Sequence, residues 1–211
     1  MGSIRLVRHA QASFGADDYD VLSLRGHKQA EILRKHWATP SLPRSLWAAT
    51  GTLRRQMNTA RTALHSLNVV EDERWNEFDE ASLLSWLPPK RHDLSTQQFQ
   101  VRLNLALSEW IAKGADSHGE SFIGFQDRVL AGFEDATTQA GSGSVATIFS
   151  SAGPIALVAS HLLSGDASLF LRLNDVLINA SITTVIVGRT GPRLLTFNDH
   201  GHLPKSHVTF R

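Results

Sequence analysis

At 211 residues, with 42% apolar and 19% charged side chains, the chain suits one globular domain with a real core rather than a disordered protein. Lysine plus arginine (21) nearly balance aspartate plus glutamate (20), so the net charge of +1 gives no reason to expect a nucleic acid or an anionic membrane as partner. Cysteine is absent, which excludes disulfides, zinc–thiolate centres and thiol catalysis.

Residues 3–8 (SIRLVR) read as a short buried strand, and Arg5 and Arg8 interrupt any signal-peptide core, so a cytoplasmic location is expected. After a loop rich in Gly, Asp and Ser, Ser23 starts a helix with Leu24, Ala30, Leu33 and Trp37 on one face, punctuated by Pro40 and Pro43. Residues 45–49 form a second strand. A helix follows from Thr52 or Leu53 to about Leu67, with Met57, Ala60, Leu64 and Leu67 at helical spacing. A third short strand is predicted from Val69 to Arg74. No convincing core strand lies between Glu77 and Gly143; Pro88-Pro89 marks a loop, and helices are expected at roughly 95–112 and 121–139. The second carries Phe122, Phe125, Val129 and Phe133 along one side. The GSGS run at 141–144 lacks the Lys-Ser/Thr of a P-loop and reads as a joint returning the chain to the core. Val145 to Ser150 is then a strand and 154–163 a helix, so this apolar stretch reads as buried core rather than a membrane span. Ile182 to Gly188 and Arg193 to Phe197 form a hairpin turning at Thr190-Gly191. The alternation predicts a three-layer α/β/α sandwich with a mostly parallel central sheet. Residues 1–211 then form a single domain with a mainly helical insertion at about 78–142.

Chemistry concentrates where strands end. LVRHAQAS places Arg8 and His9 at the carboxyl end of the first strand, where open parallel sheets bind ligands. A guanidinium offers paired donors to phosphate oxygens, while a neutral imidazole nitrogen can attack phosphorus if the other ring nitrogen keeps its proton. Alone, the pair reads better as a strand cap. LRRQMNTA (53–60) adds Arg55 near the start of the next helix, and WNEF adds Glu77 after the third strand. A second arginine and a carboxyl group at neighbouring strand ends are what a phosphomonoester site needs, the carboxyl to protonate the leaving oxygen.

In this order the segments resemble the histidine phosphatase, or phosphoglycerate mutase-like, superfamily. LVRHA resembles its RHG signature, and YDVLSLRGHKQA (19–30) resembles its L-S/T-x-x-G-x-x-Q-A helix start. LRRQMNTA resembles L-x-R-x-x-x-T-A, which makes Arg55 rather than Arg54 the second phosphate arginine. NEF matches the segment holding the proton-donating Glu77, GESFIGFQDRV (119–129) a G-E-S…R-V segment, and FNDHGHL (197–203) an N-x-x-x-H-L ending. The resemblance implies two in-line steps without cofactor or metal. Neutral His9 takes the phosphoryl group, Arg8 and Arg55 stabilise it, and Glu77 acts as acid and then as base.

Three departures stand out. Ser151, in IFSSAGPIA, stands where the family usually has a second histidine, and is expected to contact the phosphate in its place. Gly15 stands where many members have a phosphate-contacting Asn, which makes Ser13 the substitute, and Ala10 replaces the signature glycine. His202 is a candidate to cover for the missing histidine, although a structural role at the sheet edge is the preferred reading. His200, His202 and Asp199 are not read as a metal site, and Lys90, Arg91 and His92 read as a solvated basic cluster. Trp75 and Trp86 either line the pocket or pack the insertion. The expected function is a metal-independent phosphomonoester phosphatase. A phosphoglycerate mutase-type transferase and a non-catalytic phospholigand-binding protein are the alternatives. The expected partner is a small phosphorylated substrate, and a homodimer is the family habit.

Overall fold

The first strand, β1 (Gly2–Arg8), ends at Arg8 as predicted, and its side chains divide between two faces of the sheet. Ile4 and Leu6 enter one apolar cluster and Val7 enters the other. The structure, a computed structural model, describes residues 1–13, 18–40, 42–65, 68–87, 96–115 and 119–210. Helix α1 (Leu24–Trp37) leads to β2 (Trp47–Thr50), α2 (Arg54–Ala63) and β3 (Val69–Glu71). Then come α3 (Glu80–Ser85), α4 (Thr96–Lys113) and α5 (Phe122–Gln139). The chain returns through β4 (Val145–Ser150), α6 (Ala152–Ser164), α7 (Phe170–Asn174), β5 (Ile182–Gly188) and β6 (Gly191–Asp199).

The strands form one sheet in the order β3-β2-β4-β1-β5-β6. The first four are mutually parallel, β5 runs antiparallel to β1, and β6 antiparallel to β5. Strand β4 sits inside, with Ser3 opposite Val145 and Arg8 opposite Ser150 on β1, and all of its residues are buried. That placement explains VATIFS, a run without polar alternation, as a strand covered on both faces. Ile148 packs with α5 and α6 on one side, and Phe149 with α1 and α2 on the other. The layers are therefore α/β/α, as the alternation predicts.

An aromatic cluster ties the helices between β3 and β4 to the sheet. Phe78, Trp110, Phe122, Phe125 and Phe170 meet with ring centroids 5.1–6.3 Å apart, and the Trp110 indole N–H donates to the Glu120 carbonyl at 2.8 Å. This holds α4 beside the carboxyl ends of the parallel strands. Among the described residues no helix is long and apolar enough to cross a membrane; the apolar stretch at 145–163 divides into β4 and α6.

Several boundaries differ from the sequence expectation, each for a local reason. The third strand stops at Glu71 instead of Arg74 because the Asp72 carboxylate accepts from the Arg74 backbone N–H at 3.0 Å, capping a 3₁₀ turn over Glu73–Trp75. Leu24 is 90% exposed. With the Ser23 hydroxyl capping α1 through Gly26 N, the inward face is Gly26, Gln29, Ala30 and Leu33. In α2 the buried positions are largely polar (Arg55, Gln56, Thr59), because that helix faces the site. Leu67 lies outside the described residues. Helices α3 and α7 have too few turns to show a period in the sequence.

Candidate active site

His9 follows β1 immediately and is only 3% exposed. Its backbone is held on both sides. The N–H donates to the Ser150 carbonyl at 2.8 Å, and the carbonyl accepts from Ala180 N and Asn179 Nδ2, both at 3.3 Å. The ring Nδ1 lies 2.8 Å from the Ala10 carbonyl. A carbonyl only accepts, so Nδ1 carries the proton and Nε2 presents its lone pair. Burial first, then the positive fields of Arg55 and Arg8, hold the His9 pKa well below its ordinary value, so the ring is neutral. Ala10 is fully buried and has no left-handed φ, so a methyl in place of the signature glycine costs no backbone strain.

The second arginine comes from the first turn of α2. Arg55 Nε donates to His9 Nε2 at 3.2 Å, and its Nη1 pairs with Asp20 at 2.6 Å. Leu53 at the N-cap offers no oxygen, and the Asp20 carboxylate supplies it from the preceding loop, accepting from Arg54 N (2.8 Å) and Arg55 N (3.4 Å). Thr59 accepts from Ala10 N at 3.0 Å and donates to the Arg55 carbonyl at 2.7 Å. The Arg-x-x-x-Thr spacing thus locks the His9 loop to the helix that carries Arg55. Arg8 lies beside them, its guanidinium donating to the Leu177 carbonyl.

Glu77 approaches from a loop pinned on three sides. Gln56 Nε2 (3.1 Å) and the Ser150 hydroxyl (2.7 Å) both donate to the Trp75 carbonyl. Asn76 exchanges side-chain hydrogen bonds with Thr52 at 2.7 Å. On the third side Arg128 of α5 donates to the carbonyls of Arg74 (2.9 Å) and Asn76 (2.8 Å), its guanidinium itself gripped by Glu120. That is what the G-E-S…R-V segment does here. The Glu77 carboxyl accepts from Gly153 N, in the first turn of α6, at 3.1 and 3.2 Å. Burial, reinforced by the nearby Glu80, pushes its pKa up to about 7 against the opposing pull of Gly153 N–H, Arg55 and Arg8.

Arg8, His9, Arg55 and Glu77 all line one cavity of about 590 Å³, joined by Tyr19 and Phe210. Three predicted site residues fall elsewhere. Ser151 is fully buried behind the wall, its hydroxyl accepting from Gln56 Nε2 at 2.9 Å, and Ala152 takes the place on the cavity surface. Ser13 is held by its backbone N–H to the Val21 carbonyl at 2.8 Å, beside the Ala12–Leu22 bridge, and does not line the cavity. His202 stacks on His36 of α1 with centroids 5.1 Å apart, and burial together with His36 lowers its pKa to about 4. The ring thus packs on helix α1, away from the cavity lining. Trp75 is core, and Trp86 lies under Lys113 on the insertion. His200 contacts the Asn198 carbonyl. Gly15, Lys90, Arg91 and His92 lie outside the described residues.

Asp20, Gly153, Gln56 and Asn179 are the supports that sequence reading does not single out. Each acts through a contact distant in the chain, and none has a spacing signal of its own.

Residues 4–200 match the histidine phosphatase superfamily, branch 1, and the chain belongs to it. Solved structures share the fold. A histidine-to-alanine mutant of a phosphoserine phosphatase from Entamoeba histolytica, in complex with phosphoserine, has a TM-score of 0.71 at 19% identity, over 97% of this chain and 100% of that one. A mycobacterial glucosyl-3-phosphoglycerate phosphatase has a TM-score of 0.70 at 19% identity, over 94% and 99%. An alpha-ribazole phosphatase from Shigella flexneri has 0.64 at 17% identity, over 93% and 96%. No curated protein sequence matches the chain.

Proposed function

We propose that the protein is a metal-independent phosphomonoester phosphatase working through a phosphohistidine at His9. The observation that carries this reading is the pairing of a neutral His9, with Nε2 free of a proton, and a Glu77 whose pKa of about 7 leaves it partly protonated in the same cavity. In the first step Nε2 attacks phosphorus and the P–O ester bond breaks. Glu77 gives its proton to the departing alkoxide, and Arg8 and Arg55 take the equatorial oxygens. Arg55 Nε leaves the His9 lone pair for the phosphate as the substrate enters. In the second step Glu77, now a carboxylate, takes a proton from water as the oxygen attacks. The P–N bond breaks, and neutral His9 returns with inorganic phosphate.

A phosphoglycerate mutase would also have to hold the carboxylate of its substrate. Among the described residues lining the cavity, Arg8 and Arg55 are the only guanidinium or ammonium groups, and this reading assigns both to the phosphate. That favours hydrolysis over transfer between phosphoglycerates. The three structural neighbours described above are named as phosphatases, which agrees with it. A pure binding protein needs neither the aimed lone pair nor the raised carboxyl.

The test is turnover of an aryl phosphate in chelator, with acid quenching avoided so that an acid-labile phosphoenzyme can be trapped. His9→Ala should lose at least about 10³-fold in kcat and all labelling. Undiminished turnover in that variant would sink the reading.

A further inference from the structure

The cavity at His9 shares Tyr19, Arg55, Glu77, Phe78 and Glu80 with a second lobe of about 690 Å³. Glu77 lies on the wall of both. Since its carboxyl must reach the ester oxygen, the carbon chain on that oxygen begins where the lobes join. The two lobes differ in chemistry. The far wall of the first is polar, with Gln97, Gln100, Asn174 and Asp175, and Asp175 already accepts from Asn104 at 3.1 Å and Gln100 at 3.4 Å. The second adds four apolar residues, Leu53, Ala81, Leu84 and Phe99, together with Asn76 and Asp79. At the mouth stand two aromatic side chains that remain open to solvent, Tyr19 at 38% and Phe210 at 56% exposure. Phe210 is held there by its neighbour. The Thr209 hydroxyl donates to Asn179 Oδ1 and accepts from Gln29 Nε2, both at 2.9 Å, and its carbonyl accepts from Asn179 N.

Ligand sites are concave and mainly apolar with a few placed polar groups, and this lobe adjoins the reacting carboxyl. Resting on the phosphatase reading, we infer that the ester this site prefers has a bulky apolar alcohol, an aromatic ring or branched alkyl group, seated in the lobe between Leu53, Ala81, Leu84 and Phe99. Binding energy from this remote group, not from the phosphate, then separates the preferred substrate from small phosphorylated metabolites.

Propyl phosphate and 3-phenylpropyl phosphate test this, because their leaving alcohols match in basicity and differ only in the ring. The expected kcat/KM ratio is at least about tenfold in favour of the ring. Ala81 is exposed on α3, so Ala81→Trp fills the lobe without disturbing the core, and should bring the ratio close to one. Calorimetric binding of the same two esters to His9→Ala should show the same preference without turnover. A ratio near one in the wild type, or one that Ala81→Trp leaves unchanged, overturns the inference while leaving the phosphatase reading intact. If neither ester is hydrolysed the phosphatase reading fails, and the calorimetric ratio alone decides whether the lobe takes an apolar group.

Discussion

Gly153 shows how narrowly the acid–base group is placed. A Cβ there would lie 2.2 Å from Glu77 Oε1 and 2.8 Å from the Phe78 ring, so only glycine lets the carboxyl sit on the backbone N–H. Gly153→Ala should therefore lower kcat by about 10²-fold or more on an alkyl phosphate while circular dichroism stays unchanged, since the loss is of a positioned proton donor. The protonation state of Glu77 governs the pH profile. The first step needs the protonated form, so kcat/KM for an alkyl ester should fall about tenfold per unit above pH 7. Glu77→Gln should flatten that limb in a stopped assay across pH 5–9. Arg8, His9 and Arg55 are legible in the sequence because they end a recognisable strand or open a helix, whereas Glu77, on a loop six residues past β3, is found through the motif around it. Ser151 matches the family's histidine in position only, since its hydroxyl is fully buried and accepts from Gln56 instead of lining the cavity.

Among the elements, α2 and α5 act as brackets for the two halves of the site. Asp20 caps α2 from outside it and pairs with Arg55, so Asp20→Ala should cost about 1 kcal/mol in denaturant unfolding. It should also raise KM, because Arg55 loses the partner that holds it toward His9. On the other side Arg128 reaches from α5 to the backbone that carries Glu77. Arg128→Ala should reduce kcat with little change in phosphate affinity, measured by product inhibition; an unaltered kcat would remove Arg128 from the positioning of Glu77. The long elements were legible from apolar periodicity, as in Phe122, Phe125, Val129 and Phe133 on α5. What escaped was the short α3 and α7 and the early end of β3, which depend on local caps and on neighbours remote in sequence. The inward face of α1 was misassigned at Leu24 because hydrophobicity was taken for direction, whereas the Ser23 cap sets the phase of that helix.

Over the whole molecule, Glu77 and His9 load stability in opposite directions. Glu77 has a folded-state pKa raised from 4.5 to about 7, so its contribution is fully present below about 4.5 and is lost as pH rises through 7. His9, lowered well below 6.5, contributes above 6.5 and loses that contribution as acid forces a proton onto the buried ring. Glu77→Gln should accordingly melt at a higher temperature than the wild type at pH 8, and the gap should close by pH 5. A constant gap would show that burial of the carboxylate costs nothing. The strand order has a consequence in time as well. Lying between β4 and β5, β1 cannot make a single ladder hydrogen bond until Val145 or Ile182 has been synthesised, and β2 likewise waits for its inner partner β4. His9 therefore spends most of translation beside an unpaired strand. Folding of this chain should be slow, dominated by long-range pairing, and the nascent amino-terminal half is the part most exposed to aggregation and to chaperones.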